Sequence, residues 1–472
     1  MLAAPVLEAE DPAARRNQVF GLGRFARVAT LLLDIEPLIL LAIAPLLWFP
    51  RWWSGFLLLV IPVCWILRWL MCRRLSVRTI YDMPMALLVL FLPLTLFPVV
   101  EWGAAMPKLY SMLLGVALIY ALANALPTLK WSLAGLYVTI VVLGGGLAAG
   151  SLVSTEWPPP SKLAPFGFIY HRLPLLVRGL VPATQTGAVH PNEIGGALTI
   201  FVPLAAAAVL AHVRRVRALS RALPLLATLA VCSMLVLVVT LTQSRSAYFG
   251  CALGLLIVLG WWLVGERTSK RGRQLGSVLV MLFAVPAGLA VWRLVTIWTS
   301  LQTTNSDSLP SRFEVWERSL EMLRDFPFTG IGMGQFSMVL HGLYVPFLLR
   351  SAYVPHAHNF FLQLGLDLGI PGAMAMLFVF GRFFAAMFRV ARWAEQREVR
   401  AAAVGLAGGM LAFLTYGLTD AIAIGARGAI GVWVVLGLGA ALFRAASLSM
   451  NSIGCEHGLP RTSVGGDEHA GS

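Results

Sequence analysis

Two imidazoles and a carboxamide sit side by side in Pro355-His356-Ala357-His358-Asn359-Phe360, and a long apolar run follows at once. Polar groups at the mouth of a membrane helix need partners, so their presence there calls for a reason. An imidazole in that position can act as a general base, since its reference pKa lies at about 6.5. It can also cap the helix or bind a metal. Metal is the least supported reading, because no third ligand is evident nearby in the sequence.

Two arginines stand in equally polar company. Thr240-Leu241-Thr242-Gln243-Ser244-Arg245-Ser246 surrounds Arg245 with hydroxyl and amide side chains. A guanidinium in such a niche suits bidentate recognition of phosphate; the alternative is an arginine that snorkels to the lipid headgroups. Arg312 lies in Leu309-Pro310-Ser311-Arg312-Phe313-Glu314-Val315-Trp316. Ser311 followed by Glu314 has the form of a capping box and predicts a helix start there, with Phe313, Trp316, Leu320 and Leu323 on one face. A cation in the first turn of a helix is disfavoured by the helix dipole. Arg312 and the helix N-terminus could jointly hold an anion, or the arginine could pair with a carboxylate or headgroup. His190-Pro191-Asn192-Glu193 opens another apolar run, where Asn192 and Glu193 could orient a sugar or simply cap the helix. Asp420 and Arg427, close together further on, could pair with each other. Gly330-Ile331-Gly332-Met333-Gly334 lacks the spacing and βαβ context of a dinucleotide fingerprint and reads as a tight turn.

The elements that must position these groups are membrane helices. Hydrophobic residues make up 58% of the 472 residues and charged ones 12%, about half the charged share of a soluble domain. Mean hydropathy is +0.79. Lipid is therefore the main solvent. The fold class expected is an all-α, polytopic bundle of about twelve membrane helices, since apolar runs of about 20 residues recur. They fall at 30–49, 53–71, 80–99, 107–126, 131–152, 194–212, 222–241, 246–264, 275–296, 359–387, 401–420 and 428–445. A segment 1–28 precedes the membrane domain 29–446, and a polar, Gly/Ser-rich tail 447–472, expected to be disordered, follows it. The N-terminus lacks the basic-then-apolar form of a signal peptide.

The net charge of +14 is placed as the positive-inside rule requires, in short clusters such as Arg73-Arg74 and Arg214-Arg215. That placement argues against a nucleic-acid partner and puts both termini in the cytoplasm. Two long connections, 153–193 and 297–358, then fall on the outer side, the second holding an amphipathic helix. Loops of that length are where function is sought. Arg245, Arg312 and the histidine motif all reach that same face. Of Cys64, Cys72, Cys232, Cys251 and Cys455, the first four lie in or beside apolar runs, show no metal-ligand spacing and read as small core residues.

Taken together, Thr242-Gln243-Ser244-Arg245, Ser311-Arg312-x-x-x-Trp316, the glycine turn, and His358-Asn359 followed after nine residues by Gly369-Ile370-Pro371-Gly372 resemble the O-antigen ligase and polymerase superfamily. One departure is Phe249, where the family often has leucine. The resemblance implies a GT-C-like glycosyltransferase of the bacterial inner membrane with a periplasmic site, acting without metal, nucleotide or other cofactor. The donor it implies is a glycan on undecaprenyl pyrophosphate, and the acceptor is lipid A-core or another glycan. It assigns catalysis to His358, Arg245 and Arg312, the arginines neutralising the pyrophosphate and the histidine activating the acceptor hydroxyl with inversion. Ser244, Asn359, His356, Asn192, Glu193 and Trp316 are the expected substrate contacts. A polymerase that extends a carrier-linked glycan is the nearest alternative, and the histidine spacing favours a ligase. A polysaccharide or lipid transporter is a second alternative; it would place ionisable groups near the bilayer midplane, where the sequence has few.

Overall fold

The computed structural model describes residues 23–48, 51–155, 157, 190–212, 219–265, 309–349 and 353–456. Among them every regular element is helical, as lipid demands of a chain that must satisfy its own backbone. In chain order the α-helices are α1 (Gly23–Asp34), α2 (Glu36–Trp48), α3 (Val60–Cys72), α4 (Asp82–Phe91), α5 (Trp102–Ala125), α6 (Leu129–Val138), α7 (Gly145–Ser154) and α8 (Pro191–Thr199). They continue with α9 (Phe201–His212), α10 (Leu219–Leu241), α11 (Arg245–Gly260), α12 (Leu309–Asp325), α13 (Phe336–Gly342), α14 (Phe360–Trp393), α15 (Arg397–Tyr416) and α16 (Ile430–Glu456).

Nine helical stretches among the described residues are long and apolar enough to cross a membrane, and ten if the pair α1–α2, bent by 59°, is one span. This is a multi-pass membrane protein. Of the twelve expected spans, 80–99 is a shorter apolar helix, Asp82–Leu96, and 275–296 lies outside the described residues. So does most of the first long connection, including Trp157's neighbours Pro158, Pro159 and Pro160. The last helix runs to Glu456, well beyond Ser447, where the polar tail is expected to begin; its apolar face simply continues through Leu448 and Met450.

The bundle is centred on α15 and α16, whose spans are the most enclosed. Close approach of α11 to α15 has a direct cause. A Cβ on Gly250 would lie 2.4 Å from the Ala412 carbonyl oxygen, and one on Gly254 would lie 2.5 Å from that of Gly408. Small residues let the two backbones touch, the usual way helices associate where lipid removes the hydrophobic drive. That contact carries the start of α11, with Arg245, to the end of α15.

α14 is broken. Its 34 residues would run about 51 Å if straight, against about 30 Å for the 20 residues of α15. Yet the two are tied at both ends, by the short link 394–396 and by the Phe360 N–H donating to the Gly417 carbonyl at 2.7 Å. The excess length is taken up at Gly369, which sits at φ 66°, ψ 170° inside the helix. The kink is braced from outside, because the Ile370 N–H donates to Pro327 and the Ile331 N–H to Leu366.

Charged groups do occur within spans, more than their sequence positions suggest. Glu36 and Arg68 form a buried ion pair, and Lys108 lies 3.6 Å from Asp367.

Gly369→Ala tests the kink. A Cβ there would meet the Phe328 carbonyl oxygen at 2.1 Å, at a positive φ that side chains disfavour, so a loss of about 2 kcal/mol or more is expected. Gly381→Ala, in the same helix with nothing within 4 Å of the added carbon, is the control and should unfold in detergent at the wild-type temperature or slightly above.

Candidate active site

Four consecutive residues after α15, Gly417-Leu418-Thr419-Asp420, gather the polar motifs. Gly417 accepts from Phe360, as above. The Leu418 carbonyl accepts from the Asn359 carboxamide at 2.9 Å. The Thr419 carbonyl accepts from the Arg312 guanidinium, and the Thr419 hydroxyl meets that of Ser246 at 2.7 Å. Asp420 Oδ1 faces His358 Nδ1 at 3.5 Å and His356 Nε2 at 3.9 Å. One turn thus touches the histidine motif, α12 and the start of α11.

Each motif is shaped locally for this. His358 adopts φ 48°, an uncommon conformation for a residue with a side chain. It is held there by its N–H donating to His356 Nδ1 at 3.2 Å and by Trp316 Nε1 donating to its carbonyl at 3.3 Å. Asn359 caps α14, its oxygen accepting from the Phe361 and Leu362 N–H groups. The two rings lie 4.4 Å apart in an edge arrangement. Gln243, at φ 51°, precedes Ser244, whose hydroxyl caps α11 by accepting from Ala247. Arg245 is the first residue of that helix and is exposed. Strain at two non-glycine residues beside one cluster of ionisable groups is the pattern expected of a functional site.

α12 departs from its sequence reading in two ways. It begins at Leu309, so Ser311 is inside the helix and buried rather than capping it. Its packed face is Ser311, Arg312, Val315, Ser319 and Met322, while Phe313 and Leu320 are exposed. The expected apolar stripe is split: Phe313 and Leu320 face outward, while Trp316 reaches the His358 carbonyl and Leu323 packs against the neighbouring core, and Arg312 is turned inward, to 5% exposure.

Asn192 and Glu193 open α8, capped by the His190 ring accepting from the Asn192 N–H. The Tyr416 hydroxyl donates to the Asn192 carbonyl at 3.0 Å. Glu193 lies 3.7 Å from Arg427. The expected Asp420–Arg427 pair is therefore not formed: Arg427 takes Glu193, and Asp420 turns to the histidines. α8 is adjacent to the site, since a Cβ on Gly195 would meet Thr242 and Ser244 at 3.1 and 3.2 Å.

Electrostatics fix the protonation pattern. Burial alone would raise the Asp420 carboxyl, but His358, His356 and Arg312 beside it outweigh burial and hold it at about 2. Burial, then His358, Lys108 and Arg312, push His356 down to about 3 against the opposing pull of Asp420. His356 is thus neutral, with Nδ1 accepting from the backbone and Nε2 carrying its proton towards Asp420. His358 Nδ1 faces Asp420 at 3.5 Å; a proton on that nitrogen leaves Nε2 as the acceptor, the arrangement a general base needs. The ligand atoms of His356, His358 and Asp420 also lie within 4.8 Å of one another. Asp420 is the third metal-ligand candidate that the sequence did not make evident.

Residues 229–377 match a family model, Wzy_C, described as O-Antigen ligase. Over that segment the match supports a relation to the O-antigen ligase-like superfamily, whose members are membrane enzymes that transfer glycans, as ligases or polymerases. The matched segment contains Arg245, Arg312 and His358 and stops short of Asp420. A search of curated proteins finds no match.

A buried neutral histidine gives stability a pH dependence of known sign. Below pH 6.5 the unfolded chain protonates at position 356 while the folded one does not until about pH 3, so this contribution is present above pH 6.5 and is lost as pH falls towards 3. His356→Gln is expected to flatten the fall of the thermal unfolding midpoint between about pH 6.5 and pH 4. An unchanged slope would contradict the protonation pattern.

Proposed function

We propose that the chain transfers a glycan from undecaprenyl pyrophosphate to an acceptor hydroxyl at the periplasmic face of the inner membrane, with both termini cytoplasmic. The observation that carries this reading is the Gly417–Asp420 turn, which ties Arg312, the Arg245 helix and the histidine pair to one place. His358 Nε2 takes the proton of the acceptor hydroxyl as its oxygen attacks the anomeric carbon. The bond from that carbon to the phosphate oxygen breaks, and the electron pair leaves with the diphosphate, inverting the centre. Arg245 and Arg312 stabilise the charge that gathers on the leaving group, where fixed guanidinium groups are most effective if water is scarce. Asp420 holds the imidazole with its acceptor nitrogen outward and stabilises the imidazolium that forms.

His356, Asn359, Trp316, Ser244, Asn192 and Glu193, proposed substrate contacts, have supporting roles at the same place. The His356 ring lies against the base, and Asn359 and Trp316 fix the turn that carries it. Ser244 sets the helix that presents Arg245, and Asn192 and Glu193 lie beside that helix start. The acceptor proposed is lipid A-core or a related glycan; a polymerase would use the same donor chemistry with a second carrier-linked glycan as acceptor.

The test is transfer by the purified chain, offered polyprenyl-pyrophosphate glycan with either acceptor. His358→Ala and Arg312→Ala should each lower kcat by about 10²–10³-fold, and Arg245→Ala should do so with a rise in donor KM. Wild-type rates in all three variants would remove the mechanism. Transfer should also persist in EDTA. Loss under EDTA that zinc restores would instead assign the histidines and Asp420 to a metal.

A further inference from the structure

The strained turn that presents the two histidines is held from inside the bundle by three residues without a role so far. Gln363, fully buried, lies one helical turn below Asn359. Its side-chain oxygen accepts from the Ala357 N–H at 2.9 Å, the peptide unit between the two histidines. Its side-chain nitrogen donates to Asp367 Oδ1 at 2.9 Å. The other oxygen of Asp367 faces Lys108 Nζ on α5 at 3.6 Å.

We infer that Lys108, Asp367 and Gln363 form a polar brace that positions the His356–His358 turn for catalysis. The brace has a built-in direction. A carboxamide can be turned end for end, but an ionised carboxylate only accepts, so Asp367 dictates that Gln363 present its nitrogen inward and its oxygen to Ala357. Lys108 supplies the charge that keeps a carboxylate in this enclosed setting. With the amide reversed, its NH2 would confront the Ala357 N–H, donor against donor, and the turn would lose the contact that opposes the strain at His358. Displacement of a base by about 1 Å can cost a hundredfold in rate, so the brace acts on turnover and not on donor affinity. The groups that face the histidines from the surrounding elements are Asp420, Arg312 and Lys108, and only the last of these belongs to the brace.

The inference rests on the transfer reading for its kinetic consequence but has a readout independent of it. In the full chain in nanodiscs, the ring resonances of His356 and His358 are followed by NMR with labelled histidine. Gln363→Leu and the isosteric Asp367→Asn are expected to move both resonances and to lower kcat about tenfold or more, with donor KM within about threefold of wild type. Lys108→Met should do the same more weakly, and Lys108→Arg should restore it. Should Gln363→Leu fail to fold, Lys108→Met, at a partly exposed position, carries the test alone. Unmoved histidine resonances in the folded variants would overturn the brace, as would a raised donor KM at unchanged kcat. Moved resonances in a protein whose wild type transfers no glycan would uphold the brace and sink the transferase.

Discussion

A buried carboxylate needs polar partners, and in this protein those of Asp420 come from outside its own segment. It is 2% exposed, and an isolated charge at that depth would cost far more than the fold can supply. The partners that resolve this, two imidazoles and the Arg312 guanidinium nearby, come from two other segments. Asp420 therefore does more than accept a contact. It makes convergence of the polar motifs a condition of burying the end of α15 at all.

The backbone of the same turn repeats the constraint without charge. Gly417, Leu418 and Thr419 each offer a carbonyl to a donor from the histidine motif or from α12, and Thr419 adds a hydroxyl contact to α11. Carbonyls left free at the end of a helix need partners. The last carbonyls of α15 find them within the turn, Phe413, Thr415 and Tyr416 accepting from the N–H groups of Gly417, Leu418, Thr419 and Asp420, so the turn that closes α15 is also the one whose own carbonyls hold the site motifs. The geometry reaches further down the bundle through the kink in α14, which lets a long helix share both ends with a shorter one. The glycine contacts of α11 with α15 serve the same end, by setting the height at which Arg245 emerges.

Membrane character and helical class were legible in the sequence because apolar runs of spanning length are local and long. His358, Arg312 and Arg245 stood out for the same reason: polar or basic groups beside such runs are visible without coordinates. Asp420 was visible only as a neighbour of Arg427, and nearness in sequence suggested the wrong partner; the carboxylate turned to histidines some sixty residues upstream. Asp367 and Lys108 were hidden inside apolar runs, where one charge reads as a tolerated exception, and their pairing depends on α5 meeting α14. For α12 the expected apolar stripe is divided, with Phe313 and Leu320 exposed and Trp316 and Leu323 packed inward, because helical spacing identifies an apolar stripe but not whether protein or lipid covers it. No local signal distinguishes those two.

The claim on which all of this stands is that the start of α11 lies against the turn after α15. A cysteine pair at Ser246 and Thr419, in a chain stripped of its native cysteines, measures it directly, since the native hydroxyls are 2.7 Å apart and a disulfide needs little more than that approach. Mild oxidation in membranes should close the bridge within one chain, seen as linked fragments after cleavage between α11 and α12. If both cysteines label freely and no linked fragments form, the Arg245 motif does not share a site with the histidines.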